Sequence, residues 1–195
     1  MNIEDIVRID FDAQDIAAAE KWADFMDKKN QGRKTVDLSA TKNLTGYLGH
    51  LAAERVFDNL GFAYQTTRDI PYTGGDQFDI TYELDHIDVK SFRRRHSDKW
   101  FFNEKMVVMD HHQRKAENYF CFCLVDPDFV CAHVYGFIHA KRFWEMAQPH
   151  TIAPRGRVAI TTYAHQVPAR YLLSPRAYIL RLWRLDKFAN HYRHR

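Results

Sequence analysis

Two aspartates and a lysine, Asp79, Asp88 and Lys90, are spaced so that a small sheet could bring them onto one face. Residues 78 to 82 and 87 to 92 are rich in Ile, Val, Phe, Thr and Tyr, which predicts antiparallel strands joined by a short turn around Glu83 to His86. Strand side chains alternate, so Asp88 and Lys90 point one way while Ile87 and Val89 point the other. An even-numbered turn sets Asp79 across the ladder from Asp88 or Lys90, and a one-residue slip would send it to the wrong face. Two carboxylates held together repel, and a divalent cation allows both to stay ionised. Hard oxygen ligands favour Mg2+, with Mn2+ as its substitute. Such an ion polarises a phosphoryl oxygen, lowers the pKa of a bound water and neutralises charge on a reacting phosphate. Lys90 beside it would position water or stabilise the transition state. On its own, an Asp-x-Lys triplet is more often a solvated strand face.

A helix must supply the remaining acid. Residues 44 to 61 carry Leu48, Leu51, Ala52, Val56 and Leu60 at helical spacing, with Gly61 as the stop. Glu54 lies in the middle of this helix, one turn past Gly49 and His50, where close packing against a sheet is expected. An isolated helix Glu is usually exposed, so Glu54 gains meaning only from its company.

In order, helix Glu54, strand Asp79 and strand Asp88-x-Lys90 resemble the PD-(D/E)XK nuclease superfamily, the restriction endonuclease-like group. The resemblance covers roughly residues 41 to 138, and its motifs are short. It implies an α/β fold with a mixed central sheet of about four strands flanked by helices, ordered helix, three-stranded meander, helix, strand. Position by position it makes Asp79 and Asp88 the metal acids, Lys90 the motif lysine and Glu54 the helix acid, reaching the metal directly or through a water, with the Val89 carbonyl as a further ligand. Phe78 stands where the pattern has proline, and Asp76 is a weaker alternative for the first acid. The implied activity is Mg2+-dependent cleavage of DNA, by an endonuclease that works as a homodimer where both strands are cut. A catalytically silent nucleic-acid-binding subunit and an RNA nuclease are the alternatives. A viral or phage origin would suit so short a nuclease.

Downstream, His111 to Glu117 suits a short helix, with Gln113 as a further polar candidate. Tyr119 to Val125 reads as a buried strand, Asp126-Pro127-Asp128 as a turn, Val130 to His139 as a strand and Ala140 to Ala147 as a helix. Arg93, Arg94 and Arg95 follow the second acidic strand directly, with Lys99 and Trp100 close behind. These could hold phosphates and stack on a base. Hinged about Pro127, a simple hairpin sets Cys123 across from Cys131 and Cys121 across from His133, four zinc-type ligands on one face. Flat sheets seldom converge tetrahedrally, and free cysteine is common in buried strands, so a packing role is expected.

The 195 residues, 46% hydrophobic and 27% charged, suffice for one core and a single domain. Residues 1 to 40 are expected as a helical preface, 41 to 147 as the core and 148 to 195 as an irregular extension ending in a basic helix over 180 to 192. No apolar run is long enough for a membrane span and the first residues lack a secretory signal, so a cytoplasmic location without membrane partners is expected. A net charge of +3 argues only weakly for nucleic acid, and three cysteines argue against a disulfide framework.

Overall fold

A computed structural model describes residues 5–30, 40–67, 79–82, 85–93, 105–109, 113, 118–152, 162–182 and 184. Strand β1 (Val7–Asp10) leads into helix α1 (Ala13–Asn30), whose first turn is closed by a reciprocal pair: Asp12 N donates to Asp15, and Asp15 N donates to Asp12. Helix α2 (Ala40–Asp58) follows, and Gly61, at φ 71°, stops it. Phe62 N reaches back to Phe57 O at 3.1 Å, which satisfies an end carbonyl that the helix leaves open.

Strands β2 (Gln65–Thr66), β3 (Ile80–Tyr82) and β4 (Asp85–Arg93) form an antiparallel meander. After a crossover, β6 (Tyr119–Val125) lies parallel to β4, and β7 (Cys131–His139) returns antiparallel to β6. The sheet thus has six strands rather than about four, in the order β1-β7-β6-β4-β3-β2. One addition is β1, which pairs with β7, so the N-terminal segment is part of the sheet and not only a helical preface.

Every residue of β6 is buried, as its continuous apolar run implies. Its two faces belong to different cores. Tyr119, Cys121, Cys123 and Val125 pack with Leu48, Ala52 and Val56 of α2, whereas Phe120, Phe122 and Leu124 pack under α3 (Ala140–Met146) and a second sheet. That second sheet, in the order β5-β9-β8, joins β5 (Lys105–Met109), β8 (Gln148–Ile152) and β9 (Thr162–Pro168). The segment after residue 148 is therefore partly regular, and its helix begins at residue 175 rather than 180; residues 185 to 192 of the expected helix lie outside the described residues. Leu60, expected in the apolar stripe of α2, is half exposed beyond the helix end.

The β6–β7 register differs from a hairpin hinged at Pro127. Cys123 faces Val134, Leu124 faces His133 and Cys121 faces Phe137, with a bulge beyond Phe122. The turn is centred later, where Phe129 adopts φ 62°, and a shift of odd size exchanges faces. Cys121 and Cys123 therefore lie on the α2 side, while Cys131 and His133 share the other side with Leu124 and Tyr135. The four-ligand zinc set of a simple hairpin does not form, and all three cysteines are free and buried.

Among the described residues, no helix is long and apolar enough to cross a membrane.

Candidate active site

Close approach of α2 to β4 is what builds the site. A Cβ on Gly49 would fall on Ser91 Oγ and within 2.6 Å of Ser91 Cβ, so only glycine lets the helix lie this near the strand. One residue on, His50 looks over the start of β3. Its Nε2 is 3.0 Å from the Asp79 carbonyl, 3.1 Å from Thr66 Oγ1 and 3.4 Å from Glu54 Oε1. Its other nitrogen, Nδ1, is 4.0 Å from Asp79 Oδ1. The Thr66 hydroxyl donates to Glu54 Oε1. Glu54 is thus not an exposed helix acid: it is 2% exposed and tied to β2. Burying a carboxylate is costly unless partners hold it, and here a hydroxyl and an imidazole do.

Asp79 enters β3 with an irregular ladder. Ile87 pairs with Ile80, yet its carbonyl also receives the N–H of Asp79 at 3.0 Å. The Asp79 carboxylate then accepts the Val89 N–H at 2.6 Å, a side chain taking the place of a ladder bond. N–H and C=O of one strand residue point to the same side, so the Val89 carbonyl is directed toward the edge where Asp79 sits.

Asp88 and Lys90 do share a face, as alternation requires. Lys90 Nζ donates to Asp88 Oδ2 at 2.7 Å and lies 5.9 Å from the centre of the Phe120 ring. Both are largely withdrawn from water, with side chains 14% and 10% exposed. Their face is opposite the one that meets α2, since Ser91 touches Gly49 and Ile87 packs in the α2 core. Glu54 and His50 therefore approach β4 from one side, Asp88 and Lys90 stand on the other, and Asp79 lies at the strand edge between them. The acids and His50 are not gathered into one compact ligand group; among the described residues Asp126, Cys131 and His133 are, with ligand atoms within 4.8 Å of one another.

The chain matches no protein-family model and no curated protein.

Of the expected nucleic-acid contacts, Arg93 is described: its guanidinium donates to Pro127 O at 2.6 Å and lies 4.8 Å from the centre of the Phe129 ring. Arg94, Arg95, Lys99, Trp100, Asp76 and Phe78 lie outside the described residues, as does the helix expected over 111 to 117 apart from Gln113, which is exposed. His50 is the residue that motif reading passed over. Its spacing of four from Glu54 on one helix was the available signal, because such pairs share a helix face.

Tyr178 and Cys131 are among the ionisable groups near the sheet that are displaced from their ordinary range. Burial, the Asp85 charge and the hydrogen bond from Tyr178 to Asp85 at 3.1 Å raise the Tyr178 phenol well above its usual value. Burial, together with Asp126, pushes the Cys131 thiol up to about 12.

Proposed function

We propose that the protein is a metal-dependent nuclease that hydrolyses DNA phosphodiester bonds at the β3–β4 edge. The observation that carries the reading is Asp79 locked onto Val89 N–H beside the Asp88–Lys90 pair, with two acids and a lysine gathered around one strand residue. Further support comes from the element order, in which α2 precedes the β2-β3-β4 meander and β6 returns parallel to β4 after a crossover. That succession is in keeping with the helix, meander and returning strand that the PD-(D/E)XK resemblance implies.

Hard oxygen donors at this edge fit Mg2+ or Mn2+: the carboxylates of Asp79 and Asp88 and the Val89 carbonyl would hold the ion. When bound, the ion supplies an acidified water and charge neutralisation at the phosphate. Val89 N–H fixes the rotamer of Asp79 and leaves its Oδ1 toward His50. His50 and Thr66 hold Glu54 in place on the α2 side, where it assists as a positioning acid. Lys90, released from Asp88, places its ammonium where it orients water or meets developing charge. The Phe120 ring beneath it keeps that ammonium in a partly dry setting, which strengthens its field. DNA is the proposed substrate, in a homodimer where both strands are cut, and an RNA nuclease shares the same site.

Magnesium titration separates this reading from a silent binding subunit. Mg2+ or Mn2+ should raise the Tm of the protein and be required for cleavage, by linkage to the folded state. A chain that holds DNA equally well in chelator and gains no stability from metal is a binding module. Competition between matched DNA and RNA strands decides the substrate.

A further inference from the structure

Asp126, Cys131 and His133 gather where the β6–β7 hairpin turns, and their ligand atoms all lie within 4.8 Å of one another. The Asp126 carboxylate is turned between the other two. Cys131 Sγ donates to its Oδ2 at 3.1 Å, and its Oδ1 is 3.8 Å from His133 Nδ1. We propose that this cluster is a site for a zinc-class divalent cation, held by the Cys131 sulfur, the His133 imidazole and the Asp126 carboxylate.

Donor chemistry selects the ion. Thiolate and imidazole beside one carboxylate suit Zn2+ and its transition-metal neighbours, and do not suit Mg2+ or Ca2+. Spacing agrees. Zinc bonds of about 2.0–2.3 Å at tetrahedral angles set ligand atoms about 3.3–3.8 Å apart. Separations of 3.1 and 3.8 Å need little adjustment.

The scaffold is already rigid. Asp126 N donates to Cys131 O and Phe129 N donates to Asp126 O, each at 3.0 Å, so backbone bonds fix the turn that carries the carboxylate. Cys131 and His133 are two residues apart on one strand and therefore share a face, 1% and 8% exposed. The neighbouring strand contributes Arg8 opposite His133 and Asp10 opposite Cys131. The Arg8 guanidinium is engaged by Asp10 at 2.7 Å, which offsets a cation that would otherwise oppose metal entry. A thiolate and a carboxylate then balance the ion's two charges. Three protein ligands leave a fourth position for water or an external donor.

This site is separate from the proposed nuclease centre. Asp126 lies six residues along the strand direction from Phe120, the partner of Asp88, or about 20 Å at strand rise. Its ligands also differ from the hairpin set of the sequence, since Cys121 and Cys123 are on the opposite sheet face.

Cobalt is the probe. Titrating the reduced full-length chain with Co2+ should give thiolate-to-metal charge-transfer absorption and four-coordinate visible bands that saturate near one equivalent and are displaced by Zn2+ but not by Mg2+. Cys131→Ser should abolish the charge-transfer band, and His133→Gln should weaken Co2+ binding by at least tenfold. The double variant Cys121→Ser/Cys123→Ser should retain the bands. Circular dichroism of each variant verifies its fold, and if Cys131→Ser unfolds, His133→Gln and Asp126→Asn decide. Absence of a charge-transfer band in the wild type, its survival in folded Cys131→Ser, unchanged affinity in both His133→Gln and Asp126→Asn, or its loss in the folded double variant would overturn the assignment.

Discussion

The Asp88–Lys90 pair is held at 2.7 Å with little access to water, and this sets its energetics. Desolvating two charges costs several kcal/mol, and their attraction repays it only while both are present. Lys90→Met should therefore destabilise the fold by about 3 kcal/mol, because it strands a buried carboxylate. Asp88→Leu combined with Lys90→Met should recover most of that loss while remaining inactive. Urea denaturation measures both, and a Lys90→Met variant as stable as wild type would make the pair a solvated surface contact. Activity separates the same two residues differently. Lys90→Ala should slow turnover with little loss of metal affinity, whereas an equal loss of both in kinetic and metal-titration measurements would make Lys90 structural. The acids and the lysine were legible in the sequence by type and order. Their faces were not, since alternation places Asp88 with Lys90 but only the approach of α2 to Ser91 reveals that Glu54 comes from the other side.

Helix α2 and the strands around it act as the element that sets this geometry. Gly49→Ala gains up to about 1 kcal/mol of helix propensity. It also drives a methyl group into Ser91, whose Cβ cannot swing away, at a cost of about 1–3 kcal/mol. The overlap should win, lowering the Tm, and Ser91→Gly added to Gly49→Ala should restore it. Unchanged Tm in the single variant would mean that α2 does not rest on β4. On the same side of the sheet as α2, Tyr178 stacks on Phe137 with ring centroids 4.1 Å apart and donates to Asp85. Its phenol loses a proton less readily when folded than when unfolded. Stability from this contact is therefore complete below the unfolded pKa of about 10 and falls as pH rises toward the folded value. Tyr178→Phe should cost about 1 kcal/mol at neutral pH and flatten the alkaline decline in stability. An unaltered alkaline slope in that variant would contradict the role given to Tyr178. Periodicity exposed α2, β6 and α3, because each buries its own apolar pattern. It could not expose the register of β7, where a turn centred beyond Pro127 and a bulge past Phe122 decide which cysteines face which.

At the scale of the whole molecule, two cores share β6 as their common wall, an α2 core on one side and a core under the β5-β9-β8 sheet on the other. The central sheet was partly readable from local strands and turns. Strands β1 and β2 and the second sheet were not. β1 shows a short polar-apolar alternation with Ile9 as its buried residue, and β5 pairs with β9 across a long stretch of chain, a non-local choice that no local pattern encodes. The candidate site inherits this division: its residues are local motifs, and its shape is set by how α2, β2, β3 and β4 meet. The net charge of +3 offers little bulk attraction for a polyanion, so the nuclease reading rests on the β3–β4 edge rather than on electrostatics at large. The most direct measurement is cleavage of circular and linear duplex DNA and of single-stranded DNA by wild type and Asp88→Ala, in Mg2+, Mn2+ or chelator. Metal-dependent cutting by the wild type, with nicked or linearised circles, that disappears in folded Asp88→Ala is the result expected; cutting that persists in Asp88→Ala, or no cutting of any substrate by the wild type, would contradict the account.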